Sequence, residues 1–142
     1  MADLKGKEIA LQLNEKLKLE VLELTKIHRA PKLAIILVGN HPASLSYIKG
    51  KLSAAKAVGI IAELHQLDEN TSQENVLKTI QVLNDDHDVD GMILQLPLPD
   101  HLNERNLIDA ISQNKDADGF HTINQGKLNQ SLEGIITATP LG

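Results

Sequence analysis

Tyr47 and Lys51 stand four residues apart, the spacing that sets two side chains one turn apart on one face of a helix. The tyrosine is the only one in the chain, and residues 42–61 contain neither Asp nor Glu. At helical spacing Lys51 has Tyr47, Ile48, Ala54 and Ala55 as neighbours, with Lys49 and Lys56 close by. A lysine so placed, with no acid on its own helix to pair with, is a candidate proton-transfer base. The plainer alternative is a lysine lying along the helix with its head in water. Gly50, in mid-helix, costs ~1 kcal/mol relative to alanine. Close approach of a ligand or neighbouring backbone is one reason to keep it, and simple tolerance is the other.

Gln95 ends an apolar run in Leu94-Gln95-Leu96-Pro97-Leu98-Pro99. An amide at the end of a buried strand can orient a reacting group or a lysine ammonium, with the prolines fixing the loop around it; a strand-edge glutamine facing water is the alternative. Two acids precede a glycine in Lys115-Asp116-Ala117-Asp118-Gly119-Phe120-His121. For Asp116 an ordinary turn is the better reading. Asp118 either does the same or offers its carboxylate to a pair of N–H donors on a heterocycle, and spacing alone leaves both open. The six histidines show no paired helical spacing with acids, so no metal site is expected. The chain has no glycine-rich phosphate loop, so no dinucleotide site of its own is expected.

The elements that must position these residues follow from periodicity and punctuation. Ile9, Leu13, Leu17, Val21 and Leu24 recur at helical spacing and predict an amphipathic helix over residues 4–27. Pro31 stops it, and the unbroken apolar run 32–38 predicts a strand buried on both faces. Pro42-Ala43-Ser44 opens a helix that Gly59 ends after residue 58. A strand over 60–67, a helix over 72–83, a strand over 90–96 and a short helix over 103–111 follow, after which the pattern dissolves. Alternating helices and strands joined by short connections predict one α/β domain, three-layered, with a mostly parallel sheet flanked by helices. Ligands of such sheets sit outside the carboxyl ends of the strands, here residues 39–46 and 95–100.

A chain of 142 residues suits one core. Its formal charge of -5 argues against a nucleic-acid partner. No window reaches the ~20 apolar residues of a membrane span, and the lack of cysteine suits a reducing compartment, so a cytoplasmic protein without a membrane partner is expected.

Taken in series, Val38-Gly39-Asn40-His41-Pro42-Ala43-Ser44-Leu45-Ser46-Tyr47, Lys51, Gln95-Leu96-Pro97-Leu98-Pro99, Lys115 to His121 and Thr139-Pro140-Leu141-Gly142 resemble, in order and spacing, the bifunctional methylenetetrahydrofolate dehydrogenase/cyclohydrolase family. The resemblance covers essentially the whole chain and implies a folate substrate lying between this α/β domain and a Rossmann NADP domain that is absent from it. It implies NADP-linked oxidation of 5,10-methylenetetrahydrofolate to the methenyl form, then hydrolysis to 10-formyltetrahydrofolate, in one-carbon metabolism feeding purine biosynthesis. It also implies that Lys51 is the catalytic lysine, that Gln95 positions it, and that Tyr47 stacks on the aminobenzoyl part of folate. Asp118 would bind the pterin, with Ser44, Leu96 and Pro97 lining the site, and the full-length enzyme would be a homodimer. Residues 1–136 would form the folate-binding catalytic domain and residues 137–142 the start of a linker. Two positions depart from the family: Thr137 and Ala138 stand where Pro-Cys is common, and Gly50 replaces a larger small residue. Two other readings remain: a non-catalytic folate-binding or dimerisation module, and a short-chain dehydrogenase, whose catalytic pair is also Tyr-x-x-x-Lys but which needs a glycine-rich loop where Gly39-Asn40-His41-Pro42 stands.

Overall fold

The structure, a computed structural model, describes residues 6–137. Eight elements follow in chain order: α1 (Gly6–Thr25), β1 (Lys32–Val38), α2 (Pro42–Val58), β2 (Ile61–Leu67), α3 (Gln73–Asp85), β3 (Gly91–Leu94), α4 (Glu104–Ala110) and α5 (Thr122–Asn129). The three strands form one parallel sheet in the order β2-β1-β3, with Ile35 opposite Leu64 on one side and Ile93 on the other. The expected α/β architecture therefore holds.

The layering follows from chain direction. From β1 the chain steps outward to β2, then returns past β1 to β3. Right-handed crossovers in opposite directions place α2 on one face of the sheet and α3 on the other. Alternate residues of β1 sort accordingly. Ile35 and Leu37 pack with Ile48 of α2 and Ile93. Ala34, Ile36 and Val38 pack with Val76, Ile80 and Leu83 of α3 and Leu107 and Ile108 of α4. Residues 34–38 of β1 are all buried, which is why their sequence is continuously apolar instead of alternating.

The helix ends obey local chemistry. Ser72 accepts the Asn75 N–H at the start of α3, and Asn103 does the same for Asn106 in α4. Gly59 closes α2 in the left-handed region, φ 87°, with its N–H on the carbonyls of Ala55 and Lys56. β3 is shorter than the expected 90–96, although the Gln95 N–H still reaches the Ile36 carbonyl at 2.9 Å before the chain turns into its prolines.

Two expectations are corrected. The apolar row of α1 is not a core face of the described residues: of Ile9, Leu13, Leu17, Val21 and Leu24 only Val21 is buried, and Leu13 remains 60% exposed. The periodicity identified a helix, and α1 leans on α2, yet nothing described covers the rest of the row. Second, the region after residue 111 is not patternless. Residues 115–117 bridge to the outer edge of β3 through Met92, and α5 follows. That helix escapes a periodicity search because its one buried residue is polar, Asn124.

At the amino ends of the strands, the Asp90 carboxylate accepts Arg29 Nη1 at 2.6 Å, Arg29 Nη2 at 3.1 Å and the Lys32 N–H at 2.8 Å. It thereby ties the entry of β1 to the entry of β3. The hydrogen bonds from the Arg29 guanidinium hold its carboxyl below the ordinary value of 3.8, against the opposing effect of burial. Stability from this carboxylate is present above the ordinary value and lost as pH falls through the lower folded-state one. Asp90→Asn should therefore lower the urea midpoint at neutral pH, and the gap to wild type should begin to narrow as the pH falls below about 3.8; a gap that is constant with pH would contradict this.

Candidate functional site

In the sheet order β2-β1-β3 the chain reverses its direction of travel at β1, so the crevice between the carboxyl ends of β1 and β3 is the topological switch point, where ligands of open α/β sheets sit. Both loops singled out by the sequence open there. A cavity of about 270 Å³ at these ends is bordered by Gly39 to Pro42 from the β1 loop, Pro97 to Pro99 from the β3 loop, and Glu69.

Beside these ends, residues far apart in sequence meet. Lys51 Nζ, half-buried on α2, donates to Gln95 Oε1 at 3.1 Å. Gln95 is 8% exposed, not a solvated edge residue. Its Nε2 donates to the Leu96 carbonyl at 2.9 Å, which fixes the amide so that its oxygen faces the lysine. An ammonium has three donors, so one bond to Gln95 leaves others for a ligand. The turn that carries Asp118 is fastened to the outer edge of β3 through Met92. Burial raises the proton affinity of the half-buried Asp118 carboxyl above its ordinary value, the Lys51 charge opposes this, and the Asp116 charge adds to it.

The remaining predicted residues are placed unevenly. Tyr47 is 68% exposed, its ring presented to solvent one turn before Lys51. Ser44 is buried at the start of α2, heading the line Ser44, Ile48, Lys51, Ala55 along the inner face of the helix. Leu96 is half-buried and Pro97 exposed, joined by a cis peptide bond. A Cβ added at Gly50 would meet nothing within 4 Å, so no neighbouring backbone explains that glycine.

Sequence reasoning missed how the Asp118 turn is held. Asp116 is no ordinary turn residue: it is 2% exposed, and its Oδ2 accepts the His121 N–H and Asn124 Nδ2, both at 2.9 Å. Lys115 Nζ donates to the carbonyls of Leu83, Asn84 and Asp86 at the end of α3. Gly119 takes φ +72°, and a Cβ there would lie 2.9 Å from the Thr137 nitrogen. Thr137 thus packs on the site turn, whereas Thr139-Pro140-Leu141-Gly142 and Ala138 lie outside the described residues. The available signal was a lysine and two acids packed into one short segment, too much charge for a stretch that ends in buried structure.

An open crevice of this kind belongs to the ligand-handling α/β proteins. Comparison with known proteins narrows that class. The profile of the family described as "Tetrahydrofolate dehydrogenase/cyclohydrolase, catalytic domain" matches residues 4–118. "Bifunctional protein FolD" of Oceanobacillus iheyensis is 47% identical over 139 residues, covering 98% of this chain and 49% of that protein. The FolD of Acholeplasma laidlawii is 50% identical over 139 residues, with the same coverage. Among solved structures, the bifunctional FolD dehydrogenase/cyclohydrolase of Campylobacter jejuni superposes with TM-score 0.95 at 42% identity, covering 97% of this chain and 49% of that one. The 5,10-methylenetetrahydrofolate dehydrogenase of the silkworm Bombyx mori gives 0.93 at 44% identity, covering 96% and 47%. The chain belongs to the tetrahydrofolate dehydrogenase/cyclohydrolase family, as its motifs implied, and spans about half the length of the curated relatives it matches.

The opposing influences on Asp118 can be separated by titration. Lys51→Met removes the favourable cation, so the Asp118 carboxyl should titrate at higher pH in the variant than in wild type, followed by the ¹³C shift of its carboxylate. A midpoint that stays or falls would show that the two groups do not face each other.

Proposed function

We propose that this chain supplies the folate site and the proton-transfer lysine of an enzyme that oxidises 5,10-methylenetetrahydrofolate and hydrolyses the methenyl product to 10-formyltetrahydrofolate. The observation that carries this is the hydrogen bond from Lys51 to Gln95 beside the switch point of the sheet, with the turn that carries Asp118 fastened to the edge of β3. Family membership supports the substrate class.

Each residue then has a physical task. Tyr47 offers a flat, exposed face on which an aminobenzoyl ring stacks. The Asp118 carboxylate, once ionised, accepts hydrogen bonds from the paired N–H donors of a pterin, a geometry that fixes the orientation of the heterocycle. Lys51, steered by the Gln95 oxygen, stands by the one-carbon bridge. In hydrolysis, water adds to the cationic methenyl carbon, the bond from that carbon to N5 breaks, and of the two protons that water loses one is delivered to N5 and the other leaves to solvent. Lys51 moves the proton bound for N5 while Gln95 keeps the side chain aimed. Ser44, Leu96 and Pro97 shape the walls.

Hydride transfer to NADP would belong to the same parent reaction, and the Trypanosoma brucei relative was solved in complex with NADP and an inhibitor. The described residues here do not fit that cofactor. The turn after β1 is Gly39-Asn40-His41-Pro42, with no glycine-rich cradle, and Asp68 and Glu69 line the adjacent cavity of about 460 Å³, where they would repel a pyrophosphate. No step is therefore assigned through NADP.

In the native gene product, Lys51→Met should lower methenyltetrahydrofolate hydrolysis by about 10²–10⁴-fold, followed by loss of the methenyl absorbance, with circular dichroism unchanged. Turnover at the wild-type rate would remove Lys51 from the mechanism.

A second reading, a module whose main task is self-association into a homodimer, draws on the exposed row Ile9, Leu13, Leu17 and Leu24 of α1. Sedimentation of this chain between micromolar and millimolar concentration tests it. Association that Leu13→Lys abolishes supports the module, and a monomer throughout rejects it.

A further inference from the structure

No hydrogen bond among the described residues holds the Asp118 carboxylate itself, so its position depends on the backbone that carries it. That backbone is a turn, 116–119, outside any strand or helix, and turns of this kind have no ladder to keep them in place. Here the turn is fixed at several points. The Lys115 carbonyl accepts the Met92 N–H at 2.6 Å, and the Ala117 N–H donates to the Met92 carbonyl at 3.1 Å, fastening the incoming segment to the edge of β3. On the outgoing side, the Asp116 carboxylate reaches forward to the His121 N–H.

Beneath the turn lies a buried pair. Asp116 and Asn124 are each 2% exposed. Asn124 Nδ2 donates both to Asp116 Oδ2 at 2.9 Å and to the Gln113 carbonyl at 3.0 Å, so one amide joins the segment leading into the turn to the carboxylate within it. From the same helix, Gln125 Nε2 donates to the Gly119 carbonyl at 2.6 Å. Burying a carboxylate is costly unless it is well bonded, and leaving one partner unsatisfied costs more than the bond is worth. A simple surface turn needs none of this. The arrangement makes sense if the turn must hold one geometry.

We infer that Asp116, Asn124 and Gln125 are positioning residues that lock the 116–119 turn and with it the position of Asp118, making α5 a brace for substrate binding. This rests on the folate-site reading above, in which Asp118 contacts the substrate and these three residues do not. Because a hydrogen bond to the heterocycle serves ground state and transition state alike, loosening the brace raises KM and leaves kcat nearly alone.

The test uses the native gene product with 5,10-methenyltetrahydrofolate as substrate. Asn124→Ala should raise KM at least tenfold with kcat within threefold of wild type. Gln125→Ala, which removes only the bond to the Gly119 carbonyl and leaves the buried pair intact, should raise KM about threefold and serves if Asn124→Ala does not fold. Asp116→Asn replaces the charged acceptor of two hydrogen bonds by a neutral amide, and should raise KM about threefold with kcat within threefold of wild type. Asp118→Ala is measured alongside. A raised KM in Asp118→Ala with wild-type KM in both α5 variants overturns the brace and leaves the folate site standing. An unchanged KM in Asp118→Ala overturns the site reading itself. A fall in kcat at constant KM in the α5 variants also overturns the brace, since they would then act on the chemistry and not on binding.

Discussion

β1 must be buried on both faces, and the rest of the molecule is arranged around that requirement. Its residues Ala34 to Val38 have no polar face to offer water, so both sides must be covered, and right-handed crossovers do so only if the chain travels outward to β2 and back past β1 to β3. The cost of reversing direction is a gap at the carboxyl ends of β1 and β3, where no connection crosses. The crevice is thus a by-product of covering the central strand, and the loops that flank it are free to carry polar residues.

Three separate segments meet at that crevice, each held by different physics. Lys51 rides on α2, pinned to the sheet by Ile48 against Ile35, Leu37 and Ile93. Gln95 is the first residue beyond β3, still bonded to β1 through its N–H, so its amide is as rigid as the strand. Asp118 sits on a turn with no sheet of its own, stabilised by buried side-chain hydrogen bonds. The precision of the group is therefore uneven: hydrophobic packing and strand pairing place the lysine and the glutamine, while a polar network places the carboxylate. Polar networks depend on every partner being satisfied, which makes the Asp118 side the part most sensitive to small changes.

α1 behaves differently from the other helices. It carries an apolar row as regular as any in the chain, yet most of that row is exposed in the described residues. Such a face is a surface and not a core of the described residues. The entries of β1 and β3 are tied instead by Asp90, through Arg29 and the Lys32 amide.

Much of the fold was legible in the residues because it rests on local rules. The run 32–38 suited a doubly covered strand, Pro42 and Gly59 bounded α2 by their backbone preferences, and alternation of helix and strand called for parallel pairing. Tyr47 and Lys51 shared a face by helical geometry alone. What the sequence could not contain was distance between segments. That the Gln95 amide turns its oxygen to Lys51 and that Asp116 lies buried on Asn124 are both consequences of chain topology. The α5 helix was invisible for the related reason that it is held by a buried asparagine, and hydrophobic periodicity records only what is held by apolar contact. Sequence determined the elements and the residues able to do chemistry; tertiary structure decided which of them face one another, because electrostatic and hydrogen-bonded coupling depends on separation in space, which local spacing does not encode.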